Sequence, residues 1–228
     1  MFWQEDEDKT LPYEAPDDII DISFNIICKQ LPIDHAWELR EQIQQVLPWF
    51  KDCKTCGIHH LHVAESNNGW MRPDDENAVL YPSRRTRLYL RIPSDRLEET
   101  KQLSKKEISI AGISLRFGKS KTKKLINTSI IFSRHVVSNK NETEDEFLIR
   151  NAEEIKQLTG IKVKKMMSGK DHRIKTPNGD LYTRHLMIAD LDTDPSIQIQ
   201  QMGLGEERQL GCGIFLPHKG IKSLTADE

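Results

Sequence analysis

The chain has 228 residues, of which 37% are apolar and 30% charged, and its 33 Lys and Arg against 35 Asp and Glu give a formal charge of −2. No apolar run approaches the roughly 18 residues that span a bilayer as a helix. The opening MFWQEDEDKT is acidic where a secretory signal is basic and then apolar. These features argue against a helical membrane protein and lead to the expectation of a soluble, cytoplasmic chain without a membrane partner.

The small net charge conceals an asymmetry. Residues 1–21 carry eight acidic side chains against Lys9 alone, which leaves residues 22–228 at +5. Between 101 and 140 there are ten Lys or Arg, with Glu107 the only acid among them. A local basic field of that kind attracts a polyanion whatever the average charge.

In chain order, the alternating, isoleucine-rich stretch 18–30 predicts a strand. Residues 34–49 predict a helix with Asp34 as its cap, one apolar face through Ala36, Leu39 and Ile43, and Pro48 as its stop. A second strand is expected over 57–64, a loop over 65–77 and a strongly alternating third strand over 83–92. A short helix at 94–103 and a hairpin around Gly112 complete the first half. The order then repeats: strand 124–137, helix 144–160 closed by Gly160, strands 162–169 and 181–191 around a turn at 176–180, a helix in 194–202 and a last strand at 213–219. Strand–helix–strand–strand–helix–strand is the ferredoxin-like order shared by RRM domains, so the expected fold class is α+β with two βαββαβ units in tandem. The boundaries expected are an acidic extension 1–17, units at 18–121 and 122–228, and a glycine-rich loop at 203–213.

That loop, GLGEERQLGCG, follows a helix and precedes a strand. A Walker A loop needs GxxxxGK[ST] ahead of a helix, and a dinucleotide fingerprint needs an early strand–loop–helix setting, so both nucleotide cradles are excluded. The remaining readings are a structural turn using positive φ and a surface whose amides at Gly203, Gly205, Gly211 and Gly213 run along a sugar–phosphate backbone, with Arg208 and Lys219 for charge. The third strand adds a second candidate surface. Period 2 sets Arg85, Arg87, Tyr89 and Arg91 on one face, with Arg84 just ahead, a mix suited to phosphate pairing and base stacking. Lys119, Lys121, Lys123 and Lys124 extend the basic candidates.

His35 is the candidate for acid–base work. It is expected at the first helical position, where the helix dipole and Asp34 pull its protonation in opposite directions. Cys53 and Cys56 read first as ordinary residues leading into a strand, with zinc and a redox pair as alternatives. A structural zinc site needs four ligands, and no second CxxC exists.

The glycine-rich GLGEERQLGCGIFLPHKG resembles the signature that closes the CRISPR-associated repeat-RNA processing endoribonucleases of the RAMP superfamily. LPIDHAWELREQIQQVLPWF, GIHHLHVAESNNGWM, YPSRRTRLYLRIP and TRHLMIADL extend the resemblance over roughly residues 20–222, and together these are similar to the MYXAN subtype of type I systems. The resemblance implies two ferredoxin-like units and metal-independent cleavage of precursor CRISPR RNA within its repeats, beside a stem-loop. It further implies 5′-hydroxyl and 2′,3′-cyclic phosphate ends, a histidine on the first helix where His35 stands, no cofactor, and other effector-complex subunits as partners. The rival reading is a non-catalytic RNA-binding subunit on the same fold.

Overall fold

The computed structural model describes residues 16–61 and 78–218. In the first unit, β1 (Ile19–Ile27) is followed by β2 (Leu31–Pro32), α1 (Ala36–Val46), β3 (Gly57–Ile58), β4 (Val79–Leu80), β5 (Arg87–Pro93), α2 (Leu97–Thr100), β6 (Glu107–Ile110) and β7 (Ile113–Lys124). The second unit holds β8 (Ile131–Val137), α3 (Glu144–Thr159), β9 (Lys165–Thr176), β10 (Gly179–Ala189), α4 (Thr193–Met202) and β11 (Leu216–Pro217).

The sheet orders are β3-β5-β1-β7-β6 and β11-β8-β10-β9, with every pairing antiparallel. Counting the four principal strands of each unit, both sheets run fourth, first, third, second, the ferredoxin-like arrangement the element order predicts. Two-residue strands β2 and β4 form a separate clip.

Alternation explains the first core. Ile20, Ile22, Phe24 and Ile26 of β1 and Leu88, Leu90 and Ile92 of β5 meet Leu39 and Ile43 of α1 on one face of the sheet. The second core gathers Ile131 and Val136 of β8, Leu186 and Ile188 of β10, Phe147 and Ile155 of α3 and Ile199 of α4. Thr143 and Glu146 form a reciprocal capping box at the start of α3, and Gly160 ends it at φ 74°.

Several boundaries differ from the sequence reading. His35, not Asp34, is the α1 cap residue, and its side chain makes no cap bond. β7 continues to Lys124 because its polar end pairs in backbone register with Ile20–Phe24 of β1, so strand pairing runs through the expected boundary at 121. Residues 94–103 form two 3-10 turns around α2 rather than one helix. The last strand contracts to β11 because Gly211–Phe215 are drawn into the buried seam between the units. Most of the acidic extension, the end of the expected second strand, the 65–77 loop and Lys219 lie outside the described residues. Among the described residues no helix is long and apolar enough to cross a membrane.

Candidate functional site

The Arg/Tyr face of β5 is real, but half of it is covered. Arg87, Tyr89 and Arg91 pair with Asn25, Ser23 and Asp21 of β1, and Ser23 and Asp21 pair in turn with Lys121 and Lys123 of β7. At the Asp21 end the second unit lies on this face. Arg91 is 0% exposed there, contrary to its expected role at an RNA surface. Its Nε and Nη2 donate to the two Asp21 carboxylate oxygens at 2.9 and 3.0 Å, and its Nη1 donates to the carbonyls of Gln200 and Phe215 at 2.6 and 3.0 Å. Burial pushes the Asp21 carboxyl up, but Arg91 and His59 outweigh it and hold the group below the carboxylate range. His59 Nε2 stands 3.3 Å from Asp21 Oδ1. Period 2 placed Arg91 on the correct face; what covers that face comes from residues more than a hundred positions away.

The glycine-rich loop is a knot rather than an open cradle. The N–H groups of Gly203, Gly211 and Gly213 donate to Ile199, Arg208 and His135 carbonyls, and that of Gly205 donates to Glu154 Oε1. Gly203, Gly211 and Gly213 are buried at positive φ, and Gly205 is exposed at its Glu154 contact. A Cβ at Gly211 would strike the His60 ring, and one at Gly213 would strike the Leu204 carbonyl. Arg208 is buried too, so it does not lie along an RNA strand as expected. Its Nη2 donates to Thr55 and Gln201 carbonyls at 3.0 Å each, and burial, with Arg91 nearby, lowers its pKa to about 9. Gln209 donates to the Phe50 carbonyl at 2.6 Å and accepts from Gln44 of α1 at 2.6 Å. The loop thus fastens the second unit to α1 and to the turn carrying Cys53 and Cys56. Those cysteines form a disulfide, the redox alternative to plain residues leading into a strand; with Cα atoms 5.3 Å apart, the turn brings them within bonding reach. Among the described residues no cluster of His, Cys, Asp or Glu is arranged to hold a metal ion.

The seam that this knot closes is lined with histidine. Ring centroids lie 6.2 Å apart for His35–His60, 4.3 Å for His60–His135, 5.3 Å for His135–His172 and 4.6 Å for His172–His185. His35 belongs to the first unit's helix start and is 2% exposed. Its Nδ1 is 2.8 Å from the Pro32 carbonyl, which can only accept, so Nδ1 carries the proton and Nε2 is the basic nitrogen of the neutral ring. His135 Nδ1 bonds Thr183 Oγ1 at 3.0 Å, and the Nε2 atoms of His172 and His185 approach to 2.7 Å. Burial, then His172, Arg134 and Lys170, lower the His185 pKa to about 4. Of these histidines the sequence singled out His35 alone, and His135, His172 and His185 join it only through the second sheet. Their common outward parity on neighbouring strands was the available signal, once the register was known.

Of the other expected contacts, Arg84 and Arg85 are exposed in the turn before β5, and Arg87 and Tyr89 are half-buried. Lys119, Lys121, Lys123 and Lys124 are exposed along β7, with Lys124 3.5 Å from Asp17. Tyr89, Ser23 and Lys121 form one cross-strand row, so part of the basic strand and the Arg/Tyr strand share a surface.

Residues 20–220 match the family model described as Cas6 Crispr. The curated protein "CRISPR-associated endonuclease Cas6" of Myxococcus xanthus is 23% identical over 198 residues, covering 87% of this chain and 81% of that protein. Among solved structures, "Characterization of a Cas6-related gene from Pyrococcus furiosus" superposes with a TM-score of 0.61 at 14% identity, over 90% of this chain and 99% of the other. "An RAMP protein binding different RNA substrates" gives 0.61 at 14% identity, over 86% and 98%. The duplicated ferredoxin-like architecture and a family match spanning nearly the whole chain lead to one conclusion: the chain belongs to the Cas6 family.

Proposed function

We propose that this protein is an endoribonuclease that cleaves precursor CRISPR RNA within its repeats and stays on the product handle. The observation that carries the reading is His35, which holds a defined tautomer at the seam between the two units of a Cas6-family chain. The exposed Arg84, Arg85 and β7 lysines, with half-buried Arg87 and Tyr89, supply the basic surface that receives the RNA.

The ribose 2′-oxygen attacks its own phosphorus in line, leaving a 2′,3′-cyclic phosphate and a 5′-hydroxyl. One proton leaves the 2′-oxygen and another reaches the departing 5′-oxygen. His35 Nε2 handles one of these transfers, and His60, whose ring centroid is 6.2 Å away, is set to handle the other. A neighbouring cation offsets the charge that grows on the phosphoryl oxygens. The RNA supplies the nucleophile, so the reaction needs no metal ion. Because His35 is 2% exposed, RNA binding must also part the rings around it.

The test is cleavage of end-labelled repeat RNA in EDTA. Expected are products with cyclic phosphate ends, no cleavage when the scissile nucleotide is 2′-deoxy, and a loss of at least about 100-fold in rate for His35→Ala. The burial of His35 favours a second reading, an RNA-binding subunit without activity. Tight binding with no cleavage by the wild type would establish that alternative, and full activity in His35→Ala would move catalysis to another residue.

A further inference from the structure

The outward face of the second sheet has two ends. At one, Val137, Leu181 and Ile174 pack against Ala36 of α1 and Cys212 of the glycine knot. At the other end the His218 ring lies 5.9 Å from that of Phe132, and the described residues leave an apolar row partly exposed. Leu216 pairs with Phe132, Phe132 with Met187 and Met187 with Met167, so one apolar row crosses all four strands. Leu216 is 42% exposed and Met167 59%. His185 stands on the same face two residues before Met187, its ring 5.4 Å from Phe132 and nearly perpendicular to it. Gly169 gives it room, since a Cβ there would sit 3.0 Å from the His185 Cβ.

Cations lie close to Phe132 and His185, while Asp190, just past β10, is paired with Lys165 at 2.7 Å. Arg134 Cζ lies 5.9 Å from the Phe132 ring, and burial, helped by His172, Arg134 and Lys170, lowers the His185 pKa. Apolar and aromatic faces flanked by cations fit a chain of flat, apolar bases on an anionic backbone better than they fit an apolar protein surface. From this geometry we infer that the open end of the second sheet is a stacking platform for unpaired nucleotides, with Phe132 and His185 receiving bases and Arg134 and Lys170 receiving phosphates. The inference rests on the RNA-binding reading above and assigns to it a contact region for the single-stranded part of the substrate at the outer end of the histidine file.

The test compares two RNAs by fluorescence anisotropy: a repeat stem with an unpaired flank carrying 2-aminopurine, and the same stem without the flank. Phe132→Leu keeps the apolar volume and removes the π face. It is expected to weaken binding of the flanked RNA by at least about 5-fold, the low end for one lost base stack, and to relieve 2-aminopurine quenching. Affinity for the bare stem should stay unchanged, and Phe132→Tyr should restore flank binding. Circular dichroism confirms that both variants are folded. Equal affinities of wild type and Phe132→Leu for the flanked RNA overturn the platform while leaving RNA binding intact. Loss of a protein partner without any change in RNA affinity overturns it in favour of a protein-docking face. Failure of the wild type to bind either RNA removes the proposed function and the platform with it.

Discussion

Asp21 shows how one side chain ties the sheet of the first unit to the second. Its carboxylate takes two bonds from the fully buried Arg91, whose remaining donors reach carbonyls of the second unit. Asp21→Asn leaves that guanidinium without a counter-charge and is expected to cost about 3–5 kcal/mol in chemical denaturation. The folded carboxyl sits below its unfolded value of 3.8, so its contribution is complete above that pH and is lost as pH falls further. The acid limb of the stability curve should therefore flatten in Asp21→Asn. His185 acts in a different window. Its folded pKa of about 4 lies below the unfolded 6.5, so the unfolded chain binds the proton first. Stability is full above 6.5 and declines towards pH 4, a decline that His185→Asn should remove and that ring NMR titration can follow. The type of each residue was legible in the sequence; its pairing was not. Nothing local to Arg91 announces that Gln200 and Phe215 will cover it.

At the scale of elements, periodicity and punctuation did most of the work. The alternation of β1 and β5, the apolar stripe of α1 and the Gly160 stop of α3 appear where the pattern puts them. The glycine-rich loop was legible as a position needing special backbone, but not in its purpose. Its glycines make room for close approaches, of His60 to residue 211 and of the Leu204 carbonyl to residue 213. Gly211→Ala meets both a φ of 86° and the His60 ring, and is expected to destabilise the fold by more than about 1 kcal/mol. A lowered denaturation midpoint together with a shifted His60 ring resonance would check this. A fall in RNA affinity with stability unchanged would return the loop to the role of a direct RNA contact. The file of histidines was illegible for a related reason: its members sit on α1's cap, the segment after β3, and β8, β9 and β10, and only sheet register brings them into line.

At the scale of the molecule, both sheets keep one face for their own helices, and part of each outer face goes to the seam. α1, the disulfide-bearing turn and the glycine knot fill that seam, and small apolar clusters such as Ile19, Leu125 and Ile197 close it. The pins across it have a consequence in time. Arg91 leaves the ribosome 109 residues ahead of Gln200 and 124 ahead of Phe215. At about 5–20 residues per second, the first unit waits roughly 6–25 s for the carbonyls that complete its buried cation. Through that interval the nascent first unit presents a wet, charged surface where the finished fold has a dry one, until Gln200 and Phe215 arrive to seal it.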